Sequence, residues 1–591
     1  MLRGVAKPSS AMHVARVVGR YKTTAGEQRE YVSHLLRRTY RDGGKVKHET
    51  LANLSALPEP AVEAVRASLA GKTLLVAGEG LEVTRSRPHG HVAAVWAQAQ
   101  ALGLPALLGP PGRHRDLAVA LVIARVVKPG SKLATTRWWA DTTLGVDLGV
   151  EDASTDEVYA AMDWLLGRQD QVEAGLAARH LAPDANPQRM ALVDLTSAWV
   201  EGRHCPLAAR GYSRDGKKNR AQIEYGLLTD PAGRPVAVRV FPGNTADPTA
   251  FVEAVDTVRD RFGLTDLVMV GDRGMVTAAR IDALREHTDL GWLTALRAPA
   301  VATLAAADGP LQLSLFDQYD LAEITHPDYP GERLVACRNP LLAAERTRKR
   351  AELLAATETA LAPTLAAVTA GRLHGADRIG LKVGRIINTY KMAKHFQVTI
   401  TDTTLTVTRR QDQIDTEAAL DGIYVLRTNV PAQTLPAPGV VTAYKNLAHV
   451  ERDFRTIKVD DLALRPIHHR LEDRVRAHVL IAMLAAYLVW HLRRAWAPLT
   501  FTDEQPPTRD NPVAPAKRSR AATRKASRHR DENDQPVRSF RALLEHLGTL
   551  TRNHLRVGNT DTAEFDLLAT PTTTQRRAFD LLDAAIPNQL K

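Results

Sequence analysis

A segment near residue 450 carries three side chains that could do chemistry together. In YKNLAHVERDFRTIK (residues 444–458), Glu451 lies seven residues after Tyr444 and seven residues before Lys458. Seven residues make almost two turns of an α-helix, so one amphipathic helix would project all three side chains from nearly the same face. An i,i+4 pair of Glu451 with Arg455 is the structural alternative, and it leaves Tyr444 and Lys458 unexplained.

Two aspartates lie in or at the end of strand-like segments, where a charged side chain is either costly to bury or placed at the strand exit. Asp194 lies inside the apolar run RMALVDLTSAWV, where an ionised group is expensive unless something compensates it. Asp272 ends the short run LVMVGD, at the strand exit where open α/β sheets place their ligands. Each also has a structural alternative, because Asp194 could bind a neighbouring loop and Asp272 could pair with Arg273 or cap the next helix.

Three carboxylates from a central strand, a strand end and a later helix can meet at one edge of a sheet. Mg²⁺ prefers oxygen ligands and keeps several of its waters. Two such ions about 3.5 to 4 Å apart activate an attacking oxygen and stabilise the leaving oxygen of a phosphodiester. Asp194, Asp272 and Glu451 are therefore the candidate catalytic residues and ligands for two Mg²⁺ ions, with Mn²⁺ as a substitute. Lys458 would meet a phosphate as a point charge.

The elements that must position these residues form an α/β pattern. Residues 186–298 read as three strands, a helix, a strand, a helix and a strand, which predicts a sheet with helical crossovers. Residues 299–432 contain short strand-like pieces around one charged helix, which we interpret as an inserted β-rich domain. Residues 433–498 contain Glu451 and then the apolar run 479–490, which is too short to span a bilayer and predicts a buried helix.

The flanking regions are basic. Residues 1–185 are predicted to be mostly helical, with a basic hairpin at 31–55 that turns at Asp42-Gly43-Gly44. The basic side chains of this region favour contact with a polyanion such as nucleic acid. Ser154, with Glu157 three residues later, predicts a capping box. Residues 499–538 are Pro-rich and basic and predict a flexible linker that touches a phosphate backbone, followed by a helical tail at 539–591.

Composition narrows the class of protein. The chain has 591 residues, 44% of them hydrophobic, enough for more than one domain. Its formal charge of +12 favours a polyanionic partner such as nucleic acid. Cys205 and Cys337 are the only cysteines, so the sequence excludes a disulfide framework and a cysteine-rich zinc site. A reducing cytoplasm fits this composition, and we expect a cytoplasmic protein associated with the nucleoid.

A run of motifs in a fixed order resembles a known family. VDLTSAWVEG, GYSRDGKKNRAQIEYGLL, FPGN, VMVGDRGMV, DGIYVLRTN and Y-x6-E-x6-K are similar to the DDE transposases of bacterial insertion sequences. The resemblance is to the insertion sequence 4 superfamily, closest to its 1634-type group, and it extends over most of the chain up to about residue 490. It implies a ribonuclease H-like catalytic core interrupted by a β-rich insertion between the second Asp and the Glu.

The resemblance also assigns roles. Asp194, Asp272 and Glu451 match the three family acids, and Tyr444 and Lys458 match the residues that contact DNA near the cleaved end. The superfamily usually has Arg three residues after the Tyr, whereas this chain has Leu447. Arg455 or Lys445 is the expected replacement, unless the contact is absent. Arg273 is expected to touch phosphate or to hold the Asp272 carboxylate.

Other residues with ligand atoms carry less weight. His468 and His469, and His204 beside Cys205, have no second pair at the spacing of metal ligands.

The function that the resemblance implies is cleavage of double-stranded DNA at the terminal inverted repeats of an insertion sequence, and joining of the 3'-hydroxyl ends to target DNA. A homodimer is expected in the DNA complex. The alternatives are a catalytically silent repressor derived from a transposase and a stand-alone two-metal nuclease.

Overall fold

The structure is a computed structural model with two compact units. It describes residues 11–23, 27–42, 44–72, 81–217, 219–277, 279, 281–282, 290–306, 309–316, 319–508, 511–557 and 564–591. The first unit comprises Met1–Ser86 and Arg552–Leu568, and the second comprises Arg87–Thr551 and Ala569–Lys591.

The strands belong to four sheets. In chain order they are β1 (Ala11–Lys22), β2 (Gln28–Asp42), β3 (Lys45–Asn53), β4 (Leu81–Pro88), β5 (Met190–Trp199), β6 (Gln222–Thr229), β7 (Pro235–Pro242), β8 (Leu267–Gly271), β9 (Leu290–Ala295), β10 (Leu321–Ile324), β11 (Arg333–Arg338), β12 (Phe396–Ile400), β13 (Leu405–Arg409), β14 (Ile423–Thr428), β15 (Thr551–Val557) and β16 (Glu564–Leu568).

The helices cluster before and after the central strands. They are α1 (Glu59–Leu69), α2 (Gly90–Ala101), α3 (Leu104–Leu108), α4 (Arg113–Val127), α5 (Lys132–Ala140), α6 (Thr143–Leu148), α7 (Thr155–Leu166), α8 (Gln169–His180), α9 (Asp247–Asp256), α10 (Ala298–Leu304), α11 (Pro340–Thr369), α12 (Ala376–Tyr390), α13 (Gln411–Ala419), α14 (Ala437–Lys445), α15 (Leu447–Arg455), α16 (Glu472–Ala495), α17 (Arg520–Arg528), α18 (Phe540–Gly548) and α19 (Thr573–Asp580). Turns of π-helix follow α9 at Thr257–Arg261 and α15 at Thr456–Asp460.

The first unit contains the predicted basic hairpin. Strands β2 and β3 pair antiparallel, with Asp42 opposite Lys45 across the turn, and β1 adds to the other edge of β2. Gly43 of the predicted turn lies outside the described residues, and Gly44 has a φ of +82°, which glycine adopts without strain. The sequence prediction missed β1 and β4, the latter in a sheet of order β16-β15-β4.

The second unit is built on one eight-stranded sheet of order β10-β11-β14-β9-β8-β5-β6-β7. Strands β5, β8 and β9 are parallel, while β6 and β7 continue from β5 as antiparallel neighbours. This part follows the predicted strand order of residues 186–298, and the mixed α/β class is confirmed. Most of the helix predicted between β8 and β9 lies outside the described residues.

The predicted β-rich insertion at 299–432 is not confirmed as such. Its strands β10, β11 and β14 extend the central sheet, because β14 pairs antiparallel with β9. The rest is dominated by α11 and α12, of 30 and 15 residues, with only the short hairpin β12–β13 beside them. The Ala, Leu, Glu and Arg residues of α11 are strong helix formers, so a helical insertion follows from propensity.

Helix α16 lies in the core of the second unit. Its residues from Val479 to Val489 are almost fully buried, as the apolar run predicted. With 24 residues it is the one helix in the described part of the chain that is long and apolar enough to cross a membrane, and 83% of its apolar window is buried within the protein. Helix α7, which packs nearby, begins with the predicted capping box of Ser154 and Glu157.

The C-terminal part is more ordered than the sequence predicted. Val513 is fully buried, and Lys525 on α17 is 4% exposed and donates to the carbonyl of Ala497. Residues 499–538 therefore pack on the second unit, which corrects the prediction of a flexible linker. The reason is that α17 is amphipathic, with Ala522 and the Lys525 stem on its buried face. The predicted helical tail contains the hairpin β15–β16 between α18 and α19.

Candidate active site

The two aspartates are placed by neighbouring parallel strands, Asp194 in the middle of β5 and Asp272 directly after the last residue of β8. The register of β5 and β8 pairs Leu192 with Val270 and Val193 with Gly271. Asp194 and Asp272 each follow the last of these paired residues by one position. Asp194 is half-buried, whereas Asp272 is exposed.

The charge of the third acid, Glu451 on α15, also acts on Asp194. Burial, together with the negative charges of Asp272 and Glu451, raises the pKa of Asp194 to about 7. The backbone N–H of Leu195 donates to Asp194 Oδ1 at 2.7 Å and, with the charge of Arg214, acts in the opposite direction. The charges of Asp272 and Glu451 thus both act on Asp194, and the grouping of the three acids in one metal site stays a prediction. We call Asp194, Asp272 and Glu451 the carboxylate edge.

The segment 444–458 is not the single helix that its spacing predicts. Helix α14 ends at Lys445, α15 begins at Leu447, and a π-helical turn follows from Thr456 to Asp460. A π-helical turn holds more residues than an α-helical turn, so the seven-residue spacing from Glu451 to Lys458 no longer keeps one face. Tyr444, Glu451 and Lys458 are placed by three different elements.

Tyr444 is directly linked to the carboxylate edge. Its hydroxyl donates a hydrogen bond of 3.2 Å to Asp272 Oδ1. Burial and the charge of Asp272 raise the pKa of Tyr444 well above its usual range, whereas the charge of Arg273 lowers it. Tyr444 is thus a neutral donor that holds one oxygen of Asp272. Arg273 is exposed and close enough for its charge to act here.

Lys458 lies in a buried cluster. Its ammonium donates to Thr196 Oγ1 at 2.8 Å and to Asp215 Oδ1 at 2.8 Å. Burial lowers the pKa of Lys458, and the hydrogen bond and charge of Asp215 oppose that shift. Sequence reasoning missed Asp215, although it lies in the motif GYSRDGKKNRAQIEYGLL; an acid surrounded by basic residues in a turn-rich loop was the available signal.

The remaining predicted DNA contacts occupy different environments. Lys445 donates to the carbonyls of Val513 at 2.8 Å and Pro512 at 2.5 Å, so in this structure it holds the C-terminal segment. Arg455 is exposed and makes no ion pair with another described residue. Leu447, at the position where the resemblance expects Arg, packs against the hydrophobic core. Lys445 and Leu447 thus contact other parts of the protein, whereas Arg455 lies one turn after Glu451 on α15.

The donor set of the carboxylate edge fits a hard divalent cation. Three carboxylates supply oxygen ligands and no nitrogen or sulfur, which suits Mg²⁺ or Mn²⁺. In the part of the chain that the structure describes, no three His, Cys, Asp or Glu side chains stand close enough together to hold one ion. The three carboxylates are therefore not gathered around one point, and holding a cation would require their side chains to move closer together.

The less favoured histidine candidates do not form a metal site. The ring of His469 lies 4.9 Å from the ring of His478, and burial lowers the pKa of His469 to about 3. His468 and His204 are exposed. His469 thus packs against His478 of α16, whereas its neighbour His468 faces solvent.

Comparison with protein families identifies the class to which this mixed α/β protein belongs. A family model described as "Transposase DDE domain" matches residues 186–488, just over half of the chain, so the chain belongs to the DDE transposases. The model "IS1634 family transposase, N-terminal domain" matches residues 20–77. The protein is therefore a DNA transposase of the IS1634 group, and its sheet is consistent with a ribonuclease H-like DDE core.

Solved structures add only distant likenesses. The piggyBac transposase synaptic complex with hairpin DNA is 10% identical, with a TM-score of 0.31, over 70% of this chain and 77% of that chain. The Mos1 transposase paired-end complex with left transposon end is 12% identical, with a TM-score of 0.14, over 33% of this chain and 62% of that chain. Both scores are below 0.5 and carry no argument about this chain. No curated protein matches it.

Proposed function

We propose that this transposase cleaves double-stranded DNA at the inverted-repeat ends of its own insertion sequence and joins the 3'-hydroxyl ends to target DNA. The observation that carries the proposal is the register of β5 and β8, in which Asp194 and Asp272 each follow the last paired residue by one position, with the charge of Glu451 also acting on the Asp194 carboxyl. Family membership supports the reaction class, and this geometry supports the choice of site residues.

The residues of the site would have different roles in the reaction. Asp194, Asp272 and Glu451 would hold two divalent ions, Mg²⁺ or Mn²⁺, which supply activation of the attacking oxygen and stabilisation of the leaving oxygen. Tyr444 keeps the Asp272 carboxylate in one orientation through its hydrogen bond. Lys458 and Arg273 provide positive charge for the phosphate that enters the site.

DNA is the proposed partner over a wider surface than the site. Strands β1–β3 of the first unit carry many exposed basic residues and lie within or next to the segment that matches the IS1634 N-terminal domain. We propose that this sheet binds the terminal inverted repeats through phosphate contacts. Joining two ends requires two active sites, so we propose a homodimer in the DNA complex.

A cleavage assay with a labelled duplex carrying the element's own end tests the function. With Mg²⁺ or Mn²⁺, the wild-type protein should nick at the end and give joined products, whereas Asp272→Asn should give neither. Asp266→Asn is the matched control, because Asp266 precedes the same strand at its opposite end, is exposed and pairs with Arg189. Tight DNA binding without cleavage under any divalent metal would contradict the proposal and favour a silent repressor. Cleavage without joined products would favour a nuclease.

A further inference from the structure

The loop that joins β5 to β6 carries a buried carboxylate, Asp215. Its Oδ1 accepts a hydrogen bond from the Lys458 ammonium at 2.8 Å and also pairs with the guanidinium of Arg465. The Asp215 side chain is 3% exposed and that of Lys458 is 11% exposed, so water competes little with these contacts. Charge-assisted bonds in such surroundings are stronger than those on the surface.

Strand β5 holds the same ammonium from another side. Lys458 Nζ donates to Thr196 Oγ1 at 2.8 Å and to the carbonyl of Ser197 at 3.4 Å. Thr196 follows Asp194 by two residues, so both side chains project from the same face of β5. The Lys458 ammonium is therefore tied to the strand that carries the first acid of the carboxylate edge.

The charges of the cluster do not cancel. Asp215 is the one carboxylate between Lys458 and Arg465, whose guanidinium also lies 5.0 Å from the ring centroid of Trp199. The cluster therefore keeps a net positive charge. Asp215 Oδ2 has no hydrogen-bond partner among the described residues, so its contacts run through Oδ1. Without the Asp215 charge, two shielded cations would face each other and separate.

We propose that Asp215 is a positioning residue: it fixes the Lys458 ammonium beside Thr196, where Lys458 meets the phosphate of a DNA end held at the carboxylate edge. This inference rests on the proposed function and deepens it. Asp215 acts through Lys458 and touches neither the DNA nor the metal ligands. The net positive charge of the cluster is available to the phosphate because a single carboxylate holds both cations.

The test combines chemistry with a measurement that does not depend on activity. Wild-type full-length protein and Asp215→Asn are labelled with an amine-acetylating reagent, and modification of Lys458 is followed by mass spectrometry. Cleavage of the labelled DNA end is measured in single turnover, with DNA affinity measured separately. Asp461→Asn is the matched control, because Asp461 is an equally buried acid paired with an arginine, Arg493. Thr196→Val removes the second contact of Lys458 with a milder change.

In the Asp215→Asn protein, Lys458 should be acetylated at least about fivefold faster than in the wild type. The same protein should cleave DNA at least about tenfold more slowly, because a misplaced Lys458 ammonium affects the chemical step. Its DNA affinity should change by less than about threefold. Thr196→Val should shift both rates in the same directions by about half as much on a logarithmic scale, because one bond to Asp215 remains. If Asp215→Asn does not fold, Thr196→Val decides the matter alone.

Two results would overturn the proposal: an Asp215→Asn protein that cleaves at the rate of Asp461→Asn, or one whose Lys458 is acetylated no faster than in the wild type. A wild-type protein that cuts no DNA with any divalent metal would refute the proposed function. In that case the acetylation contrast still decides whether Asp215 sets the position of Lys458.

Discussion

Two regions of the second unit each contain several side chains of like charge, and they reduce the repulsion between these charges in opposite ways. One is the carboxylate edge, where Asp272 and Glu451 are exposed. The other, which we call the cationic core cluster, comprises Arg125, Lys132, His469 and His478 between α4, α5 and α16. Arg125, Lys132 and His478 are each 6% exposed. Lys132 Nζ lies 3.2 Å from His478 Nδ1, and no carboxylate among the described residues pairs with Lys132 or Arg125.

In the cationic core cluster, burial lowers the pKa values of the basic groups. It lowers the pKa of Lys132 well below its usual range, that of Arg125 to about 10 and that of His469 to about 3. At the carboxylate edge burial raises the pKa of Asp194 to about 7, and Asp272 and Glu451 are exposed to solvent. The comparison teaches that burial favours the neutral form of like-charged groups, whereas exposed carboxylates remain ready for a counter-ion.

The largest expected effect is a difference in cleavage rate between substitutions on opposite faces of α15. Glu451→Gln should lower the cleavage rate by at least about a thousandfold, the scale of losing one member of a catalytic set. Asp453, two residues later, is 8% exposed, and burial raises its pKa to about 8. Asp453→Asn replaces a carboxyl that is already largely neutral at pH 7, so the cleavage rate should change by less than about threefold.

Single-turnover rates with Mg²⁺, together with thermal melting of both variants, check this contrast. Melting shows whether each protein is folded. Equal losses of activity in Glu451→Gln and Asp453→Asn would mean that α15 acts through its fold and not through one carboxylate.

The next effect concerns the lysine of the cationic core cluster. The pKa of Lys132 is lower in the folded protein than in the unfolded chain, so the unfolded chain binds the extra proton. Stability therefore increases with pH, by about 1.4 kcal/mol per unit just below the ordinary lysine pKa of 10.5. Lys132→Met should lose this increase, while Lys128→Met, at an exposed neighbour, should keep it.

Urea unfolding at several pH values between 8 and 10 measures these slopes. A Lys132→Met protein with the same pH slope as the wild type would show that Lys132 remains charged in the core, and would remove the contrast with the carboxylate edge.

The strand positions of Asp194 and Asp272 were predictable because each has a simple signature, and the grouping of these two acids with Glu451 in one site stays a prediction. Asp194 interrupts an apolar strand and Asp272 ends one, so alternation and strand exits place both acids. Glu451 was found through its spacing from Tyr444 and Lys458, even though the single helix behind that argument was wrong. The break at Asn446 and the π-helical turn at Thr456 depend on tertiary packing of α14 and α15, which spacing does not encode.

The cationic core cluster and the role of Asp215 were not predictable in the same way. Arg125 and Lys132 are close in sequence, but His478 follows Lys132 by 346 residues, and nothing in their local patterns indicates that they meet. Asp215 lies in a loop whose path over β5 is set by contacts such as the bond of Arg214 N–H to Ser197 Oγ. The central strand order followed from local patterns, whereas β14 joining β9 is a long-range pairing that no periodicity reveals.

A smaller effect follows from His469 in the cationic core cluster. Its pKa is about 3 in the folded protein and 6.5 ordinarily, so below pH 6.5 the unfolded chain binds more protons. Stability is therefore lost as pH falls from 6.5 towards 3, by up to about 1.4 kcal/mol per unit from this residue. His469→Gln should lose less stability between pH 6.5 and 5 than the wild type, whereas His468→Gln, at an exposed position, should match the wild type. Urea midpoints across this range test the difference.

The smallest expected effect tests how strongly the orientation of the Asp272 carboxylate is fixed before a cation binds. Tyr444→Phe removes only the hydroxyl that donates to Asp272 Oδ1. Asp272 is exposed, so the lost bond should cost about fivefold in cleavage rate, which corresponds to about 1 kcal/mol, the usual net value of a hydrogen bond. The Mn²⁺ concentration for half-maximal rate should rise with it, because Asp272 then samples more orientations. Tyr390→Phe, in α12, loses the same atom elsewhere and should leave both values unchanged. A Tyr444→Phe protein that needs less Mn²⁺ would instead mean that Tyr444 competes with the cation for Asp272.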